Sequence, residues 1–127
     1  MTPPAYSIVC DYGSAGREKV TNYEDASRLK VVNDIFEGQS GGRPIEVHYE
    51  DESEGILRNV SEDIAREVWQ RALDEYQLND DGEIAFPGRD FCIQHIWRDM
   101  ERDEAELLST RSEFAEHNTL HRAAQGV

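Results

Sequence analysis

The most constraining feature of the chain is the segment PIEVHYE at positions 44–50, whose side chains alternate in polarity. The apolar set is Ile45, Val47 and Tyr49, and the polar set is Glu46, His48 and Glu50. Successive side chains of a β-strand point to opposite faces of the sheet, so the pattern predicts a strand with one buried face. ILRNV at 56–60 is a suitable partner strand. HYEDESEG at 48–55 then contains the hairpin connection, with Gly55 providing backbone freedom.

Three segments have the period of an amphipathic helix, with Asn22, Ser61 and Asp90 as the predicted N-terminal caps. The first helix is predicted to end at Gly38, and the third to run from Phe91 to at least Leu108. The predicted buried faces are Ala26, Leu29, Val32, Ile35 and Phe36 in the first helix, Ile64, Val68, Ala72, Leu73 and Tyr76 in the second, and Ile93, Ile96, Trp97, Met100 and Leu107 in the third.

The other segments are predicted as one strand and two loops. AYSIVCDY at 5–12 is apolar and β-prone, which predicts a first strand that stops before the glycines. DYGSAGREK at 11–19 is predicted as a surface turn, because its spacing does not fit a phosphate-binding loop. NDDGEIAFPG at 79–88 is predicted as a turn-rich connection with room for one short strand.

This order of elements predicts an α+β fold. We expect a small antiparallel sheet of about three strands, packed on one side by about three helices. The length of 127 residues suits a single compact domain, residues 1–127. Residues 110–127 are expected to form either a helical extension or a flexible tail.

The cysteines and the lengths of the apolar segments indicate the cellular compartment in which the protein is expected. No apolar run approaches the ~18 residues of a membrane span, and the first ten residues lack a secretory signal pattern. We therefore expect a cytoplasmic protein without a membrane partner, in which Cys10 and Cys92 are free thiols.

The net charge is −14, from 27 acidic and 13 basic residues. A negative field repels DNA, RNA and anionic membranes and attracts basic surfaces, so direct nucleic-acid binding is not expected. Only two of the basic residues are lysines, Lys19 and Lys30. Scarce lysine with excess acid also suits a salt-adapted organism, which supplies an alternative reason for the acidity.

Metal sites have weak support in the sequence. A calcium loop at 77–88 would need strong oxygen ligands at its first and twelfth positions, where Gln77 and Gly88 stand. A zinc site would combine the only plausible ligands at helical spacing, Cys92, His95, His117 and His121. Buried thiols and satisfied core histidines are common, so we expect no metal, no other cofactor and no enzymatic activity.

Two acidic clusters are the predicted partner-binding residues. They are Glu50, Asp51, Glu52 and Glu54 in the hairpin connection, and Asp99, Glu101, Asp103, Glu104 and Glu106 in the third helix. Eight helical residues, 99–106, span ~12 Å and carry a net charge of −4, or about one charge per 3 Å. One DNA strand carries about one phosphate per 3.4 Å of axis, so the linear charge densities match.

Three functions follow from these observations. The first is a non-enzymatic binding protein that docks on a basic protein, such as a nucleic-acid-binding protein or a nuclease complex. In size and charge alone, the chain is similar to inhibitors that mimic nucleic acid, such as antirestriction and anti-CRISPR proteins of phages and plasmids. The second is an acidic accessory or structural domain of a salt-adapted organism. The third is a small zinc-binding protein, and the sequence leaves a homodimer open in each case.

Overall fold

A computed structural model describes residues 3–22 and 24–125, with side chains as far as Arg111. The elements are β1 (Ala5–Asp11), β2 (Arg17–Val20), α1 (Arg28–Glu37), β3 (Arg43–Asp51), β4 (Ile56–Asn59), α2 (Ser61–Glu75) and α3 (Arg89–Gln125). A 3-10 turn at Gly13–Ala15 lies between β1 and β2. The predicted α+β class is confirmed, and the single compact domain contains one strand more than expected.

The hairpin of β3 and β4 forms as the alternation predicts. Both β1 and β4 pair with β3 in antiparallel register, and the strand order is β2-β1-β3-β4. Val47 lies opposite Ile8, and both side chains are buried against the helices. All three helices contribute to this one core, so they cover the same face of the sheet.

The prediction of a surface turn at 11–19 is wrong for its second half, because residues from Arg17 onwards form β2. The turn itself is short, with Asp11 Oδ1 accepting a hydrogen bond from the Gly13 backbone N–H at 2.8 Å. Gly16 then adopts a φ of +88°, a conformation that favours glycine. Every residue of β2 is exposed. Charged residues are typical of such edge strands, and they hid this strand from the polarity pattern.

Helix α1 begins later than predicted. Asn22 does not cap it; its Oδ1 accepts hydrogen bonds from the Glu24 and Asp25 backbone N–H groups in a turn. Ser27 is the actual cap, with its Oγ accepting from the Lys30 N–H, and Gly38 ends the helix in the left-handed conformation as predicted. The late start changes the buried face, so Leu29 is 69% exposed and was wrongly assigned to the core. The helix buries Val31, Val32, Ile35 and Phe36.

Helix α2 buries its predicted residues Ile64, Val68 and Ala72, but Ser61 does not act as its cap. Ser61 is the first helical residue, and its side chain is buried. Its Oγ accepts a hydrogen bond from the Val47 N–H at 2.8 Å, which continues the hydrogen bonding of β3 beyond the end of β4. Tyr76 follows the helix and is partly exposed, contrary to the predicted stripe.

The connection from 79 to 88 contains turns and no strand. It contributes two buried side chains, Ile84 and Phe86, to the core. The Phe86 ring lies 5.7 Å from the Phe36 ring and 6.1 Å from the Trp69 ring, measured between centroids. This loop therefore closes the core between α1 and α2.

Helix α3 starts at Arg89, and Asp90 lies in its first turn instead of capping it. Ile96 has a φ of −139° and a ψ of 33°, so two helical segments meet there at a kink. The buried stripe continues across the kink at intervals of four residues, with Cys92, Ile96, Met100 and Glu104. Ile96 and Met100 are buried as predicted, whereas Ile93, Trp97 and Leu107 are exposed, contrary to prediction.

None of the described helices has the length and apolar character needed to cross a membrane. Cys10 and Cys92 are both buried and form no disulfide, which confirms the expectation of free thiols.

The buried Ser61 hydroxyl generates a stability prediction. Ser61→Ala leaves the Val47 N–H without its acceptor in the core, and an unsatisfied buried donor costs ~1–3 kcal/mol. We expect the free energy of unfolding, measured by urea denaturation, to fall by that amount. Ser109→Ala on the exposed part of α3 is the matched control and should change it by less than ~0.5 kcal/mol. Equal effects of the two substitutions would contradict this role of Ser61.

Candidate functional site

The predicted hairpin cluster divides into structural and exposed carboxylates. Asp51 is only 8% exposed, and its Oδ1 accepts hydrogen bonds from the Ser53 N–H at 3.1 Å and the Ser53 hydroxyl at 2.7 Å. Glu50 forms an ion pair with Lys19 of β2. Glu52 and Glu54 are exposed at the tip. Asp51 therefore stabilises the turn. The negative charge that the tip exposes to solvent comes mainly from Glu52 and Glu54.

The predicted α3 cluster divides in the same way. Asp99 lies 3.6 Å from the Arg66 guanidinium of α2, and Asp103 Oδ2 accepts a hydrogen bond from the Trp69 indole N–H at 2.9 Å. These two carboxylates join α3 to α2. Glu101 and Glu106 are exposed.

Glu104, the remaining member of that cluster, is a buried structural residue. Its two carboxylate oxygens accept hydrogen bonds from the Arg89 guanidinium at 2.8 and 3.2 Å. One of them also accepts the Ile84 backbone N–H at 2.6 Å. The hydrogen bonds and charge of Glu104 raise the pKa of Arg89, so the guanidinium stays protonated. We call this arrangement of Glu104, Arg89 and the Ile84 N–H the Glu104 clamp.

The contacts that fix the two predicted clusters lie in different parts of the fold. Glu50 and Asp51 bond to β2 and to the hairpin turn. Asp99 and Asp103 bond to α2, and Glu104 bonds to Arg89 and to the loop before α3.

The structure instead places a third acidic segment beside α3, in the loop from 79 to 84. Asp80, Asp81 and Glu83, here called the loop carboxylates, are exposed and form no ion pair with any described side chain. The loop is held against α3 because Ile84 is bonded by the Glu104 clamp and the Arg111 guanidinium donates to the Asn79 carbonyl at 3.4 Å. The acidic pattern NDDGE is visible in the sequence, but it was interpreted as a turn-rich connection, and the only binding role considered for it was a calcium loop.

A groove opens on α3 next to this loop. It has a volume of about 250 Å³, and we call it the α3 groove; Arg89, Ile93, Trp97, Met100, Glu101 and Glu104 line it. Trp97 is 48% exposed and Ile93 is 43% exposed, which is unusual for side chains of their size. The predicted site did not include Ile93 and Trp97, because the sequence analysis assigned both to the buried face of the helix.

The zinc hypothesis gains no support from the described residues. Cys92 is fully buried, with its Sγ 3.5 Å from the Ala65 carbonyl, and burial raises the pKa of its thiol to about 12. His95 is bonded to Ile45 and lies against the Phe91 ring, whose centroid is 4.7 Å away. His117 and His121 lie outside the described side chains. No group of three or more potential ligands for a metal ion occurs among the side chains that are described.

The fold and the site define a small α+β protein with an acidic surface next to an exposed apolar groove. Comparisons with protein-family models, with curated proteins and with solved structures found no match.

The Glu104 clamp generates a prediction that separates structural from exposed carboxylates. Glu104→Ala leaves the buried Ile84 N–H without an acceptor, which costs ~1–3 kcal/mol, and leaves the partly buried Arg89 guanidinium with the Ile84 carbonyl alone. The total should stay below the ~3–5 kcal/mol of a fully buried charge that loses its partner. We expect the unfolding midpoint in urea to fall accordingly. Glu106→Ala, two residues further on and exposed, should change the free energy of unfolding by less than ~0.5 kcal/mol. The assignment is wrong if Glu104→Ala is as mild as Glu106→Ala.

The raised pKa of Cys92 generates a prediction about thiol reactivity. A pKa of about 12 instead of 9.0 lowers the thiolate fraction near pH 8 by about 1,000-fold, and only the thiolate reacts. In a Cys10→Ser variant, iodoacetamide should label Cys92 at least about 1,000-fold more slowly in the folded protein than in urea. Rapid labelling of the folded protein would show an accessible thiol and contradict the burial.

Proposed function

We propose that this chain is a non-enzymatic binding protein that docks on a basic protein partner through the surface formed by α3 and the loop carboxylates. The partner expected from the charge is a nucleic-acid-binding protein or a nuclease complex, whose basic site the acidic surface occupies in place of nucleic acid. Neither nucleic acid nor a membrane is a direct ligand under this proposal, because the net charge of −14 repels both.

The observation that carries the proposal is a group of exposed carboxylates without ion pairs beside the α3 groove. The loop carboxylates and Glu101 form no ion pair with another described side chain. Arg89, which lines the groove, is engaged by Glu104. Two arginines without ion pairs to the described side chains lie nearby, Arg98 against the Trp97 ring and Arg111 against the Asn79 carbonyl. Four carboxylates against two arginines leave this surface with a net negative charge that is available to a partner.

The carboxylate of α3 next to the loop carboxylates is Glu101, which lines the α3 groove. Glu106 is five residues further on, about 140° around the helix axis, so it adds negative charge on another side of α3. Long-range attraction between such a surface and a basic site would speed association and make it sensitive to salt.

A capture experiment tests this function. A five-site variant, with Asp80→Asn, Asp81→Asn, Glu83→Gln, Glu101→Gln and Glu106→Gln, removes the uncompensated charge without touching the Glu104 clamp. We expect the wild type to retain a basic protein from a lysate of its native cells at low salt and to release it at high salt. The five-site variant should retain at least about tenfold less of it, because the steering and pairing charges are gone.

The matched control neutralises the other predicted cluster, with Glu50→Gln, Glu52→Gln and Glu54→Gln. This variant should retain the partner as the wild type does. Capture that is equal for the wild type and both variants contradicts the proposal. Melting temperatures measured from dilute buffer to 2 M KCl address the salt-adaptation alternative, which requires that the fold be stable only at molar salt.

A further inference from the structure

Helix α3 carries an exposed apolar surface in addition to its acids. Up to Arg111, the part of α3 with described side chains, four large apolar residues are exposed by 41% to 48%: Ile93, Trp97, Leu107 and Leu108. Leu108 lies beside the loop, 3.6 Å from the position that a Cβ on Gly82 would occupy. Clustered apolar groups rimmed by polar residues mark interaction sites on soluble proteins, and Trp is enriched among the residues that dominate binding energy.

The α3 groove is the concave part of this surface. Met100 at its floor is 2% exposed, and Arg89 at its side is held by the Glu104 clamp, so two of its walls are fixed by the core. The Arg98 guanidinium lies 5.4 Å from the centroid of the Trp97 ring, which restrains the indole. A preorganised site loses less side-chain entropy on binding.

The volume of the groove indicates what can enter it. About 250 Å³ lies below the range of about 300–1,000 Å³ that is typical of small-molecule pockets. A groove of this size on one side of a helix is better matched to one or two apolar side chains that project from another polypeptide. Amphipathic helices bind in this way, with apolar anchors at helical spacing.

The charges around the groove indicate that the polypeptide segment that binds there should be positively charged. Glu101 is exposed at the rim, and Glu83 is close enough for its charge to act on Arg89 at the groove wall. The other loop carboxylates, Asp80 and Asp81, precede Glu83 in the same turn. Arg89 is already neutralised by Glu104, and the two remaining described arginines nearby, Arg98 and Arg111, are outnumbered by Glu101 and the three loop carboxylates, so the net charge around the groove is negative.

We propose that the α3 groove binds a basic amphipathic helix of the partner. One of its apolar side chains inserts between Ile93 and Trp97, while flanking lysines or arginines pair with Glu101 and the loop carboxylates. This inference rests on the proposed function. It adds that an apolar side chain of the partner binds in the groove, next to the charged contacts. A second copy of the chain fits the groove less well, because it would bring the same uncompensated carboxylates and a second net charge of −14 to this surface.

Three labelled peptide probes of equal length test the groove by fluorescence anisotropy at moderate salt. The first is a helical peptide of leucine and lysine with one apolar face, the second replaces each leucine by alanine, and the third replaces each lysine by glutamate. We expect the leucine–lysine peptide to bind at least about tenfold more tightly than either of the others, because it alone offers both anchor and charge.

Variants of the protein locate that binding. Ile93→Ser and Trp97→Ser should each weaken binding of the leucine–lysine peptide by at least about tenfold. Leu29→Ser is the matched control, since Leu29 is an exposed apolar residue on α1, and it should change the affinity by less than about twofold. Circular dichroism melting checks that all three variants fold.

Two results would overturn the inference. One is an affinity for the leucine–lysine peptide that Ile93→Ser and Trp97→Ser leave unchanged; if the five-site variant still loses binding, the proposed acidic docking function survives and only the groove assignment fails. If the five-site variant also binds normally, the proposed function fails with it. The other is a wild-type dimer in sedimentation velocity that Trp97→Ser dissociates, because a second copy then covers the groove.

Discussion

A single buried carboxylate, Glu104, binds two groups that lie 15 and 20 residues earlier in the chain, Arg89 and the Ile84 N–H. It lies on the second segment of α3, binds Arg89 at the start of the first segment, and accepts the Ile84 N–H from the preceding loop. Burying these charges is costly, so the clamp is stable only because its hydrogen bonds are satisfied together. The loop that it fastens carries Ile84 and Phe86 into the core, and the same contacts fix the wall of the α3 groove.

The acidity of this protein therefore has two separate physical roles. Asp51, Asp103 and Glu104 each accept hydrogen bonds that hold a turn, a helix pair or the loop in place. The loop carboxylates lie outside such contacts and face solvent beside exposed apolar groups on α3. This combination of uncompensated charge and apolar surface supports a binding role better than charge alone, since an acidic solvated surface would not need to expose a tryptophan.

The sequence predicted those features of the fold that are determined by neighbouring residues and missed those that are determined by tertiary contacts. The alternation in β3 and the end of α1 at Gly38 are local properties, and both predictions were confirmed. The strand β2 was missed because its exposed, charged residues carry no pattern of burial. The kink at Ile96 and the pairing of Glu104 with Arg89 depend on tertiary contacts, so the sequence predicted one uninterrupted helix and assigned Glu104 to the surface. The apolar groove was missed because Ile93 and Trp97 are apolar at helical spacing, which indicates a buried face unless the neighbouring elements are known.

The account depends most on the claim that the Glu104 clamp fixes the loop against α3. Amide hydrogen exchange at Ile84, measured residue by residue by NMR, tests this claim in the unmodified protein. The account predicts that the Ile84 N–H exchanges as slowly as the core amide of Val47, because both donate to buried side-chain oxygens and open only when the protein unfolds. Exchange of the Ile84 N–H at the rate of an exposed loop amide would contradict it.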